Sequence, residues 1–146
     1  MIPSPHSTCR GVRGATQVAA DTEPAILSAT AELFRALVGA NEITPEDLAA
    51  IVFTMTPDLT SAFPAQAASM ANFESTPRIC AQEIDVPGSL PRCLRLLLIW
   101  NAPQDAAPTT HLYTNGAEVL SFPPSHLAEL AQVLAGGPKP ESDAAQ

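Results

Sequence analysis

Hydrophobic and polar positions along the chain change period several times, and each change marks an element. CRGVRGATQV (9–18) reads as a first strand, with Gly11 and Gly14 marking close backbone approach or a bulge. Asp21, Thr22, Glu23 and Pro24 then make an acidic helix start with an early proline. From there Ile26, Leu27, Leu33, Phe34, Leu37 and Val38 recur near a 3.6 period until Gly39 and Asn41 close the helix. Thr44–Asp47 reads as a cap and a short helical turn, and AIVFTMT (50–56) as a buried strand. A second helix is expected from about Pro64 to Asn72, and a strand over RICAQEIDV (78–86). After the turn PGSLP comes a fourth strand, RCLRLLLIWN (92–101). THLYTNGAEVLSF (110–122) reads as a last strand or a hairpin about Asn115-Gly116. SHLAELAQVLAGG follows with Ser125 as cap, a terminal helix over about 125–135.

The order β-α-β-α-β-β-β suits a mixed sheet with two helices on one face, an α/β (α+β) fold. Residues 1–8 are expected to be flexible, 9–136 to form a single domain that includes the terminal helix, and 137–146 to be a disordered tail. In the fourth strand Leu94, Leu96, Leu98 and Trp100 share one face, while Cys93, Arg95, Leu97 and Ile99 share the other. Two helices cover the first face only. The second is apolar too, so a neighbouring subunit is expected to cover it. That face carries Arg95, and an arginine is almost never buried without a partner.

Composition narrows the partners. Seven Lys and Arg stand against fifteen Asp and Glu, a formal charge of −8, which excludes a basic nucleic-acid surface and an affinity for anionic membranes. No apolar run approaches the ~20 residues of a membrane span. The start MIPSPHST has neither a basic leader nor an apolar core, so no signal peptide is expected. Cys9, Cys80 and Cys93 lack zinc-like spacing and read as reduced thiols of a cytoplasmic protein. Six of the seven cations are arginines, a residue suited to gripping carboxylates bidentately; ordinary surface salt bridges are the alternative. His6, His111 and His126 form neither a triad nor a metal set, and no phosphate-binding loop is present.

Five blocks, RGVRGAT (10–16), TPDL with AFPA (56–65), CAQEIDVPGSL (80–90), CLR (93–95) and HLY (111–113), resemble in order and separation the monofunctional chorismate mutases of the AroH, or Bacillus, class. The resemblance covers roughly residues 9–122. It implies a pseudo-barrel homotrimer of α/β subunits with active sites in the clefts between them. It also implies conversion of chorismate to prephenate, on the route to phenylalanine and tyrosine, without metal or organic cofactor. The chain's inventory fits that chemistry. A [3,3] shift needs neither nucleophile nor proton transfer, only a compact substrate conformation and positive charge at the ether oxygen where negative charge grows.

Residue by residue, the resemblance makes Arg95 the cation at the ether oxygen and Arg13 a carboxylate grip. Glu83 becomes the acceptor for the ring hydroxyl, Tyr113 a second carboxylate contact, and Cys80 a pocket-lining thiol. Phe63, Ala65, Ile79, Ala81, Gln82 and Leu120 fall at pocket-wall positions. Gln66 stands where the Bacillus pattern has a lysine, and Ser69 and Ser121 also replace cations, so weaker substrate affinity is expected with kcat less affected. Arg78 falls where that pattern is apolar, either restoring positive potential or lying on the surface. Two other functions remain open here: an imine deaminase resembling the RidA trimers, and a non-catalytic trimer that binds a metabolite.

Overall fold

The computed structural model describes residues 7–69 and 71–121. The expected terminal helix and tail, and most of the expected flexible start, lie outside them. The elements are β1 (Ser7–Gln17), α1 (Glu23–Asn41), β2 (Leu48–Met55), α2 (Gln66–Ser69), β3 (Arg78–Gln82), β4 (Cys93–Pro103) and β5 (Leu112–Thr114), followed by a 3-10 turn at Ala117–Leu120. The expected order of seven elements is present. The strands form one sheet, β3-β2-β4-β1-β5. β4 is central and antiparallel to both β1 and β2, while the edge strands β3 and β5 run parallel to their neighbours.

Alternation along β4 sorts its residues as expected. Leu94, Leu96, Leu98 and Trp100 are buried with Ile26, Leu33, Phe34 and Leu37 of α1 and with Ala68 and Phe73, so both helices serve one face. Phe73 packs edge-on against Phe34, with ring centroids 5.0 Å apart. α1 starts at Thr22, whose hydroxyl accepts the Ala25 N–H, and ends at Glu42 with φ 54°. The two β1 glycines differ. A methyl on Gly14 would lie 2.5 Å from Leu37 Cδ1, so α1 rests on the bare backbone there. On Gly11 it would make an ordinary 3.6 Å contact with Leu97, and the β1–β4 pairing runs without a bulge.

Four boundaries depart from the sequence pattern. The 44–47 segment is a turn closed by Asp47 N–H donating to the Thr44 carbonyl, and not a helix. α2 is one turn instead of nine residues, because Asn72 adopts φ 62° and redirects the chain so that Phe73 enters the core. β3 stops at Gln82 instead of Val86: β2 ends at Met55, which accepts the Glu83 N–H at 2.9 Å as the last cross-strand bond. Among the described residues of the 110–122 segment there is no hairpin. β5 joins β1 in parallel, and Asn115 and Gly116, with φ 53° and 96°, turn the chain into the 3-10 turn.

Candidate active site

The face of the sheet away from the helices has its own residues and little cover. Cross-strand register places Ala15 of β1 and Thr54 of β2 on either side of Arg95, with Tyr113 beyond Ala15 and Ala81 beyond Thr54. Leu97 lies between Arg13 and Val52, and Ile79 flanks Val52. Ile79 and Leu97 are 63% and 37% exposed, an apolar strip beside a guanidinium.

Arg95 is half-buried by its neighbours. Its Nε lies 3.3 Å from Glu83 Oε1, an ion pair. That nitrogen is also buried and makes no hydrogen bond, so the contact is electrostatic and misaligned as a donor–acceptor pair. Glu83 reaches Arg95 because the bond to Met55 folds the chain back over the end of β2, where the Thr54 hydroxyl donates to the same Oε1. Beneath them Cys93, Ala15 and Ala117 form a small second core, with Leu90, Tyr113 and Leu120 packed against it. Burial pushes the Cys93 thiol pKa up, and the adjacent Arg95 guanidinium works against that rise. Cys93 is a packing residue here, on the side of the sheet that Arg95 occupies.

Arg13 stands over the Tyr113 ring, with Cζ 5.7 Å from its centroid. The backbone N–H of Arg13 donates to His111 Nδ1 at 2.9 Å, which ties β5 to β1 one residue before their ladder. Asn41, at the end of α1, clamps Thr110 by donating to its carbonyl at 2.9 Å and accepting its N–H at 2.8 Å. Tyr113 is thus placed by two polar ties that the sequence pattern did not reveal. The start of β4 is fixed in a similar way. Asp58 accepts the Thr56 hydroxyl at 2.6 Å and the Arg92 N–H at 2.8 Å, while Arg92, at φ 45°, donates through Nε to the Val18 carbonyl.

Arg10 and Arg78 serve the scaffold. Arg10 donates to the Ala106 and Ala107 carbonyls and stacks on Trp100. Arg78 donates to the Phe73 and Glu74 carbonyls and to the Ser69 hydroxyl, closing the loop after α2. It therefore has a structural task, which neither of the expectations for it included.

The remaining expected site residues gather elsewhere. Phe63, Gln66, Cys80, Ala81 and Gln82 line a groove of about 450 Å³ between the 55–66 segment and the edge strand β3. Phe63 is 69% exposed within it. Cys80 pairs with Phe53 and Gln82 with Met55, so strand alternation turns both away from the face of Arg95. Ala65 packs against the main core instead of the groove. Within the chain, then, Arg95, Glu83, Arg13, Tyr113 and Leu120 form one group and Phe63, Gln66, Cys80 and Gln82 another. Ile79 belongs by register to the first face, and Ala81 touches both.

A mixed sheet carrying two guanidiniums and one carboxylate on an apolar face defines a small α+β protein equipped for a compact anionic ligand. Known proteins resolve the class further. The profile for chorismate mutase type I matches residues 9–122. A chorismate mutase AroH of Thermus thermophilus is 47% identical over 109 residues, spanning 74% of this chain and 89% of that protein. The Bacillus subtilis chorismate mutase AroH is 38% identical over 114 residues, 76% of this chain and 88% of its own. A solved chorismate mutase from Clostridium thermocellum superposes with a TM-score of 0.72 at 39% identity, covering 75% of this chain and 98% of that one. The chain belongs to the type I chorismate mutases. It is an enzyme with chorismate mutase activity, and the deaminase and non-catalytic alternatives find no support.

Proposed function

We propose that this chain rearranges chorismate to prephenate in sites shared between neighbouring copies in a homotrimer. One copy presents Arg95, Glu83, Arg13 and Tyr113. The next contributes the groove of Phe63, Gln66, Cys80 and Gln82, with Ile79, Ala81, Ala65 and Leu120 shaping or backing the walls. The separation of the two groups on opposite sides of one subunit's sheet favours this arrangement, as does the uncovered strip at Ile79 and Leu97.

The chemistry requires no acid, base or nucleophile. Arg13 and Tyr113 hold substrate carboxylates and keep the enolpyruvyl arm folded over the ring. Glu83 accepts the ring hydroxyl. Arg95 faces the ether oxygen and is favoured increasingly as the C–O bond parts and that oxygen gains charge, which is selective stabilisation of the transition state. Neighbouring subunits exclude water, which strengthens the interaction.

One observation carries this reading: the Nε of Arg95 is buried on an apolar face, beside Glu83, without a hydrogen-bond acceptor. A guanidinium held so has unmet donor capacity. Replacing Arg95 with citrulline keeps the planar shape, the Nε–H and one NH2, but removes the charge and turns the other NH2 into a carbonyl oxygen. Followed by loss of chorismate absorbance, that variant is expected to lose about two to three orders of magnitude in kcat. Undiminished turnover would overturn the role. Arg95→Lys should also be poor, because one ammonium cannot reproduce the fork.

The free thiols of Cys9, Cys80 and Cys93 favour a reducing, cytoplasmic setting. Among the described residues no helix is long and apolar enough to cross a membrane.

A further inference from the structure

Thr54 faces the site from the strand opposite Arg95, and sequence gave it no role beyond a strand position. Register sets it directly across from Arg95 on one side and Ala81 on the other. Its hydroxyl donates to Glu83 Oε1, the oxygen that Arg95 Nε meets at 3.3 Å. Among the described residues, both contacts of the carboxylate therefore fall on one oxygen.

We infer that Thr54 is a positioning residue: its hydroxyl locks the Glu83 carboxylate so that Oε1 faces Arg95 and Oε2 is presented to the substrate hydroxyl. This rests on the role proposed above for Glu83. A carboxylate whose lone pairs are unmet draws the nearest donors toward itself. With the hydroxyl in place, Oε1 is already served by a neutral donor, and the pull on the guanidinium is moderated. Without it, the Arg95 guanidinium is the one partner left at that oxygen among the described residues. The guanidinium then closes into a tighter pair with Glu83 and turns away from the reacting oxygen. The hydroxyl thus acts through Glu83 on the availability of Arg95, and its removal should register in the step where charge develops.

Thr54→Val is nearly isosteric and keeps a β-branched residue in the strand, so the fold is expected to persist. On this inference Thr54→Val lowers kcat about tenfold or more, with KM changed less than threefold. Thr54→Ser, which restores the hydroxyl and lacks only the methyl, should recover kcat to within about threefold of the parent. In a Glu83→Gln background, Thr54→Val should have little further effect, because the charged carboxylate that the hydroxyl positions against Arg95 is already gone. Equal defects in valine and serine variants, or additive effects with Glu83→Gln, would assign Thr54 to packing and overturn the inference. A silent Thr54→Val beside an impaired Glu83→Gln would overturn it and leave the role of Glu83 standing. A silent Glu83→Gln would remove both. Thermal unfolding of each variant separates a folding defect from these outcomes, and the serine rescue decides the matter if valine destabilises the strand.

Discussion

Gly14 of β1 lies under Leu37 of α1 so closely that a methyl on the glycine would sit 2.5 Å from Leu37 Cδ1. The contact sets the height of the helix over the sheet and faces Gly14 toward the core. Strand alternation then turns Arg13 and Ala15 to the opposite face, where the site is built.

Gly14→Ala should therefore destabilise the protein by about 1–3 kcal/mol through overpacking, measured as a lower denaturation midpoint. Gly11→Ala, where the added methyl meets only an ordinary contact, should stay within about 0.5 kcal/mol of the parent. Equal effects at the two positions would contradict the packing described.

Acid stability should depend on Asp58. The Thr56 hydroxyl, followed by the Arg92 N–H, holds its carboxyl pKa below the ordinary value. A group depressed in the folded state stabilises above its unfolded value, near ~3.9, and loses that contribution as pH falls through the lower folded value. Asp58→Ala should thus be less stable than the parent at neutral pH, and the gap should narrow below about pH 4. A gap independent of pH would show that charge at Asp58 is not the source.

Self-association should follow the apolar strip. A Leu97→Glu substitution puts a carboxylate on the uncovered face without entering the helix-side core. Sedimentation is expected to show a lighter species with an unchanged circular dichroism spectrum and little mutase activity. A fully active monomer would refute the proposal of sites shared between copies.

Affinity should respond to Gln66, which stands exposed on the groove where the related pattern has a cation. Gln66→Lys is expected to lower KM roughly threefold to tenfold, with kcat changed less and the gain shrinking as salt is added. A rise in kcat at constant KM would instead place position 66 among the groups that act on the transition state.

Much of the architecture was legible because it depends on local period. The 3.6 repeat through Phe34 and Leu37 showed the buried side of α1, and alternation in β4 separated Leu94, Leu96 and Leu98 from Arg95. The site was legible only in part. Arg95 declared itself as a charge within an apolar run, whereas Thr54, in AIVFTMT, looked like any β-branched strand residue.

What the sequence determined by itself was the order of elements and the face that each long one buries, since neighbours within a few residues fix both. Tertiary structure decided that β5 runs parallel to β1, that β3 gives way at Glu83, and that Thr54 and Ala15 flank Arg95. Those outcomes depend on pairings between distant segments, such as Asn115 with Thr16, 99 residues apart. Register is chosen by the sum of such contacts, and a single-residue shift would send every side chain of a strand to the opposite face.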